Sequence, residues 1–185
     1  MKSLKNLFFA GGAFFVMLLS FSCLTTAGAS ANKDYVKFEN ASREAAPKGV
    51  FVGVGQSSTK GMSASLARQT AESRARADVS RQMSALVKSR FQDLERGSEG
   101  ASFKGESYQE GIVETLSKAT LNGTKVLKVD VDESGANYFV AITYDVSEAK
   151  KLAADAINKS ELAKNRKAAE TAIADMNKAF DQAGL

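Results

Sequence analysis

The chain lacks the side chains on which most catalytic and metal sites depend. Its 185 residues include no histidine, no tryptophan, one cysteine and one proline. Without histidine, and with a single cysteine, Ser-His and Cys-His nucleophile systems and the usual zinc sites are excluded. Carboxylate pairs and Ser-Lys arrangements remain available by composition, but no spacing selects one. We therefore predict a protein that is not an enzyme and that holds no cofactor or metal.

The N-terminal stretch has the pattern of a secretory signal peptide. Lys2 and Lys5 precede an apolar run from Leu7 to Leu19, and small residues follow it. A basic start, about 7–15 apolar residues and small residues beyond them are typical of such signals. No second apolar run approaches the roughly 20 residues needed to span a bilayer. We therefore expect an exported protein whose remaining chain folds outside the bilayer.

This stretch contains two candidate processing sites, and an uncleaved anchor is the third alternative. Lipoprotein processing would acylate Cys23 and end the signal at residue 22; Ser22 suits that motif, and Leu19 lies one place too far back. Cleavage after Ala31, at the small-x-small site 29–31, would end it at residue 31. Lipidation would also remove a lone thiol that invites unwanted pairing in an exported protein. We expect Cys23 to be the lipidation site, with two or more acyl chains anchoring the protein.

The charge balance gives no case for nucleic-acid binding. The chain carries +4, and loss of Lys2 and Lys5 with the signal leaves +4 − 2 = +2. Nucleic acid would require a clustered basic face. The arginines between Arg68 and Arg81 have Glu72 and Asp78 interleaved, so we interpret them as a salt-bridged solvent face.

A buried strand and a long helix begin the predicted domain. The run 49–55 is apolar and β-branched, which is typical of a buried strand. Ser63 is expected to cap a helix that continues to about Arg96 without Gly or Pro. Alanines at 67, 71 and 75 would let this helix lie close to a sheet. Its predicted apolar face comprises Leu66, Ala71, Ala75, Val79, Met83, Leu86, Val87 and Leu94.

The second half of the chain predicts a short helix, a hairpin and a long helix. After a glycine-containing loop at 97–105, the capping box Ser107–Glu110 begins a helix to about Ala119, with Ile112, Val113 and Leu116 inward. The stretches 125–132 and 136–145 alternate in polarity around the turn 133–135, which predicts a half-buried antiparallel hairpin. In the first of them, Leu127, Val129 and Val131 share one face. Ser147 is expected to cap one helix to about Gln182.

These elements define an α+β fold with a small antiparallel sheet. The expected organisation is a signal at 1–22 (or 1–31), a tether at 23–48, an α+β domain at 49–148 and a C-terminal helix at 149–185. The tether is rich in Ala and Ser and is expected to contain a short helix around 35–46.

Two short motifs imitate ligand-binding loops. Gly53-x-Gly55-x-x-Ser58 follows a strand and precedes a helix, but it lacks the third glycine of a dinucleotide-binding loop. We interpret its glycines as allowing close approach of the helix to the sheet; anion binding at the first turn of that helix is the alternative. Asp130-x-Asp132-x-Ser134 imitates the start of a calcium loop, but its twelfth position is Ala141 rather than Glu. We interpret it as a polar turn.

Three pieces in this order carry a family resemblance. They are 52–55 with the two serines after it, the Ala/Arg stretch 67–78, and the hairpin 123–146. In order and spacing, over about 49–148, the chain resembles the LPP-twenty family of small bacterial envelope lipoproteins. The N-terminal domain of flagellar assembly protein T is similar in the same way. The resemblance implies a helix packed on an antiparallel sheet, an envelope location and no enzymatic activity.

The sequence thus predicts a non-enzymatic envelope lipoprotein that acts as a binding or structural module. We expect it to be anchored in the outer membrane through Cys23, a soluble periplasmic binding protein being the alternative. The expected partners are other envelope proteins or a second copy, met through the Gly55–Lys60 loop and the C-terminal helix. An adaptor of a flagellar or secretory machine is a second hypothesis, and an enzyme that uses carboxylates or Ser/Lys is a third. The contact-loop residues are Gly53, Gly55, Ser57 and Ser58.

Overall fold

A three-stranded sheet with helices on both faces forms the body of the protein. The computed structural model describes residues 26–97 and 105–184. Cys23, the predicted signal residues before it and most of the predicted 97–105 loop lie outside them, as do the side chains of Leu94 and Ser107. The elements, in chain order, are α1 (Thr26–Ala45), β1 (Val50–Ser58), α2 (Ala64–Gly97), α3 (Gly105–Gly123), β2 (Lys125–Val131), β3 (Asn137–Asp145), α4 (Val146–Lys159), a 3-10 helix (Glu161–Lys164) and α5 (Arg166–Ala183).

The sheet is antiparallel throughout and has the strand order β1-β3-β2. β3 is central: it pairs with β1 from Val50↔Asp145 to Ser58↔Asn137, and with β2 as a hairpin. Gly135 closes the hairpin turn with a φ of 70°, a left-handed conformation that glycine adopts without steric cost. The predicted α+β class, the antiparallel sheet and the hairpin are confirmed. None of the helices between residues 26 and 184, outside the 98–104 gap, is long and apolar enough to cross a bilayer.

Both faces of the central strand are covered, so the prediction of a half-buried hairpin is wrong for β3. One face, with Val140, Ile142 and Tyr144, packs into the main core formed with α2 to α5. The other face packs in a smaller cluster beneath α1. This second cluster comprises Phe38, Val52, Val54, Phe139 and Ala141.

Helix α1 covers this second face of the sheet and lies in the segment predicted as a tether. The short helix expected at 35–46 belongs to a helix that begins at Thr26 and ends at Ala45. Phe38 is buried and stacks on Phe139 with ring centroids 5.6 Å apart. Periodicity gave a weak signal here because only Phe38 and Ser42 are buried among residues 33–45 of α1.

Helix α2 buries a stripe with a spacing of four residues. Because an α-helix has 3.6 residues per turn, each step of four turns the stripe about 40° around the axis. The stripe therefore starts against β1 with small side chains and ends against the other helices with large ones. The assignment of Leu66 to the apolar face is wrong, because this residue is 50% exposed. The buried residues are Ala67, Ala71, Ala75, Val79, Met83, Val87 and Phe91.

Two glycines of β1 set how close α2 comes to the sheet. A Cβ on Gly55 would lie 2.0 Å from the Ala71 carbonyl oxygen, and a Cβ on Gly53 would lie 2.3 Å from that of Ala75. Both distances are far inside van der Waals contact. The interpretation of these glycines as close-packing residues is confirmed. Ser63 also caps α2 as expected, since its Oγ accepts from the Leu66 N–H at 3.3 Å.

The C-terminal region is helical, but it forms two helices rather than one running from Ser147 to Gln182. Ser160 interrupts the chain: its Oγ donates to the Ile157 carbonyl at 2.7 Å and accepts from the Leu162 N–H at 3.3 Å. Asn165 then caps the long C-terminal helix α5. The break turns the chain back, so that Leu162 and Phe180 both enter the main core.

A bulge in β2 separates residues that the sequence placed on one face. The pairing with β3 shifts between Val126 and Lys128. As a result, Leu127 packs against the α1 cluster, whereas Val129 packs against the main core. The prediction that Leu127 and Val129 share a face of the sheet is therefore wrong, because the bulge inserts one extra residue into the alternation of side chains along β2.

The N-cap of α4 lies at Asp145, two residues before the cap expected at Ser147. Its Oδ1 accepts from the Ser147 N–H at 2.7 Å. Hydrogen bonding from the Ser147 side chain, and then from the Ser147 N–H, holds the pKa of Asp145 below the usual 3.8. Replacing Asp145 with Ala should lower the free energy of unfolding by about 1 kcal/mol at pH 7.

The effect of this replacement should depend on pH in one direction. A carboxylate with a depressed folded-state pKa stabilises above its unfolded pKa, and loses that contribution as pH falls through the folded value. Urea unfolding should therefore show a larger deficit at pH 7 than near pH 2. Asp155→Ala, at an exposed position of α4, is the control and should change stability by less than about 0.5 kcal/mol at either pH. An equal deficit of Asp145→Ala at both pH values contradicts the capping role.

Candidate binding surface

Three of the four predicted contact-loop residues are not at the surface. Gly53, Gly55 and Ser57 lie in β1 and are buried, so their assignment to a contact loop is wrong. The strand continues three residues beyond the predicted end at Gly55, and α2 lies across it. Ser58 is exposed, and its Oγ accepts from the Lys60 N–H at 3.1 Å. Of the four residues, only Ser58 is available to a partner.

The outer edge of β1 is closed by polar side chains of α2. The Arg74 guanidinium donates to the Gln56 carbonyl at 2.6 Å, and the Gln82 amide donates to the Val52 carbonyl at 2.9 Å. Between them, an Asp78 carboxylate oxygen accepts from the Val54 N–H at 3.3 Å. A spacing of four residues along a helix, about 6 Å, matches two residues of a strand, about 6.6 Å. This side-chain ladder occupies the groups with which another strand would pair.

Helix α1 adds a further contact at the same edge. The Tyr35 hydroxyl donates to the Val54 carbonyl at 3.4 Å. Burial, then the nearby Glu39 and Asp78 carboxylates, raises the pKa of Tyr35 above its usual value. The hydroxyl therefore stays protonated and remains a donor at neutral pH.

These closing residues were missed by reasoning from the sequence. Arg74 and Asp78 were assigned to a salt-bridged solvent face. That interpretation holds for the ion pairs Arg76–Glu72 and Arg81–Asp78. The available signal was the four-residue spacing of Arg74, Asp78 and Gln82, which runs beside the buried stripe and turns with it.

The outer edge of β2 is open in the part of the chain that the structure describes. In an antiparallel pair, the backbone N–H and carbonyl groups of every second residue of an edge strand point toward the neighbouring strand, and those of the others point away. Asp132 donates its N–H to the Asn137 carbonyl, so the backbone groups of Lys128 and Asp130 also point toward β3. The backbone groups of Val129 and Val131 point outward. The Val131 N–H contacts the Asp130 carboxylate at 2.9 Å, and no other described group pairs with these outward positions.

Charged and apolar side chains alternate along this open edge. Val126 and Val131 are 47% and 39% exposed. Lys128 lies over the Phe38 ring, 5.3 Å from its centroid, and forms an ion pair with Asp130 at 3.7 Å. The strand is basic at its start and acidic toward its end. It therefore presents a polarised row of charges beside free backbone groups.

The acidic residues after β2 organise the hairpin turn. Asp132 accepts from the N–H groups of Ala136 and Asn137 at 2.8 and 3.1 Å, and from the Asn137 amide at 2.7 Å. Partial burial raises the pKa of Asp132, but the hydrogen bonds from Asn137, Ser134 and Ala136 outweigh it and hold the pKa below the usual value. This arrangement supports the interpretation as a polar turn. Within residues 26–97 and 105–184, no cluster of three or more acidic side chains is arranged to hold a metal ion.

Comparison with family models and with curated proteins gives no match for this chain.

Proposed function

We propose that this protein is an exported lipoprotein of the bacterial envelope that acts as a non-enzymatic binding or structural module. The observation that carries the proposal is the N-terminal pattern of Lys2, Lys5, an apolar run and Cys23. The resemblance to LPP-twenty lipoproteins points the same way. The lack of histidine and the single cysteine support the non-enzymatic part.

The way the body uses its polar side chains supports a role as a module. Arg74, Asp78 and Gln82 close one sheet edge, and Asp132 and Asp145 hold a turn and a helix start. These groups stabilise the fold. The open edge of β2 is the surface that we propose for binding.

The position of α1 adds a geometric consequence for an anchored protein. Only Leu24 and Thr25 separate Cys23 from the start of α1, and α1 is packed on the sheet through Phe38. A lipid on Cys23 would therefore hold the body close to the bilayer. Cleavage after Ala31 would also leave Tyr35 and Phe38 in the mature chain.

Metabolic labelling with an alkyne analogue of palmitate tests lipidation directly. The full chain should take up label, and Cys23→Ser should reduce incorporation to background. Ser22→Ala, which keeps a small residue beside the cysteine, should be labelled like the parent chain. An unlabelled parent chain, or full labelling of Cys23→Ser, contradicts the proposal.

A further inference from the structure

The open edge of β2 is self-complementary, and we infer that it pairs antiparallel with β2 of a second copy about a twofold axis at Val129. The pairing would join two three-stranded sheets into one continuous sheet. The inference deepens the proposed function, on whose binding role it rests, by naming the partner.

The charges of β2 fit this arrangement. An axis at Val129 places Lys128 directly opposite Asp130 of the second copy, and Asp130 opposite its Lys128. Directly opposite residues of an antiparallel pair lie on the same face, where opposite charges stabilise and like charges destabilise. The two copies thus exchange two symmetric ion pairs, made from side chains that already lie 3.7 Å apart within each chain.

The backbone and the apolar side chains fit the same axis. The backbone of Val129 faces outward, so its N–H and carbonyl groups are free to exchange two hydrogen bonds with Val129 of the second copy. Val131, which is 39% exposed in the single chain, would lie beside the strand of the second copy. The pairing therefore covers exposed apolar surface and satisfies the free backbone groups of Val129 together.

Other pairings of the strand are disfavoured by the same charges. An axis at Lys128 or at Asp130 sets two like charges opposite each other, and a parallel arrangement aligns the two basic starts. Edge strands with charges and bulges generally resist pairing with arbitrary strands. In β2 the bulge precedes Lys128, so residues 128–131 form a regular strand. The order of the charges favours antiparallel pairing of two copies in the register centred on Val129.

Cysteine cross-linking in the full chain tests the axis. Every variant carries Cys23→Ser, so that the introduced thiol is alone. Val129→Cys should form a disulfide dimer on oxidation, because Cα atoms of a hydrogen-bonded antiparallel pair lie about 5.5 Å apart, within the roughly 4.4–6.8 Å range of disulfides.

Val131→Cys is the matched control on the same strand. Its two copies would lie four residues apart along the paired strands, about 14 Å at about 3.4 Å per residue, so it should stay monomeric. Equal cross-linking of the two variants, or none of Val129→Cys, overturns the inference.

Charge exchange tests whether the partner is a second copy. In the Val129→Cys chain, Lys128→Asp and Asp130→Lys should each reduce the dimer at least roughly tenfold, because each sets like charges opposite each other twice. The double exchange restores both ion pairs and should restore the dimer. Failure of the double exchange, with both single variants and the double variant folded by circular dichroism, contradicts self-pairing. Palmitate labelling reads none of these contacts, so failure of the pairing and failure of lipidation are told apart.

Discussion

Replacing Gly55 with Ala should destabilise the protein by about 3 kcal/mol or more. The new Cβ would lie 2.0 Å from the Ala71 carbonyl oxygen and 2.5 Å from the Ala75 nitrogen. Both atoms belong to the backbone of α2, so relief requires the helix to move away from the sheet. That movement would also stretch the ladder of Arg74, Asp78 and Gln82.

The control is the same substitution at a glycine with open space around it. Gly111 lies exposed within α3, and no atom outside its own helix turns lies within 4 Å of an added Cβ. Gly111→Ala should therefore stabilise the protein by about 0.5–1 kcal/mol. Urea unfolding of the two variants should give shifts of opposite sign. A Gly55→Ala protein as stable as the parent would contradict the close packing of α2 on β1.

Replacing Phe180 with Ala should remove about 3–5 kcal/mol of stability. Phe180 is fully buried, and its ring meets Phe51 of β1 edge-on with centroids 5.7 Å apart. The substitution leaves a cavity between the C-terminal helix and the sheet. This large effect is expected because α5 belongs to the main core, and a helix free to serve as a contact surface would not show it.

Lys178→Ala is the control on the same helix. Lys178 is exposed, two residues before Phe180, so its loss should change stability by less than about 0.5 kcal/mol. The two variants should unfold in one transition each when followed by circular dichroism. Equal stability of Phe180→Ala and Lys178→Ala would show that α5 is not part of the core.

The elements of the sheet and of α2 follow from the sequence because their signals are local. The glycine-bounded apolar run, the alternation around 133–135 and the uninterrupted helical stretch from Ser63 each reflect backbone preferences that neighbours do not override. The order of these elements then restricts the fold to a helix packed on an antiparallel sheet.

The errors arise where tertiary contacts change the pattern. A fixed helical face fails for α2, because its stripe turns about 40° with each step of four residues. Leu66 therefore leaves the core, and Phe91, absent from the predicted face, enters it. In β2 a bulge places Leu127 and Val129 on opposite faces of the sheet. The residues at this bulge, Val126 to Lys128, include no glycine that would have signalled it.

The predicted contact loop is largely buried for a related reason. The serines and glycines near Gly55 look like a loop until α2 is placed across them. Only the assembled sheet shows that Arg74, Asp78 and Gln82 close the β1 edge, while no residue within 26–97 or 105–184 pairs with the outer edge of β2. The polarity of the β2 charges is visible in the sequence, but its meaning depends on knowing that β2 is an edge strand.

The mass of the N-terminal peptide from the mature protein tests the central claim of an exported, anchored module most directly. The peptide should begin at Cys23 and carry a diacylglyceryl group together with an acyl chain on its amine. A chain that begins at Asn32 with no lipid would contradict the anchor, and an intact chain beginning at Met1 in the cytoplasmic fraction would contradict export itself.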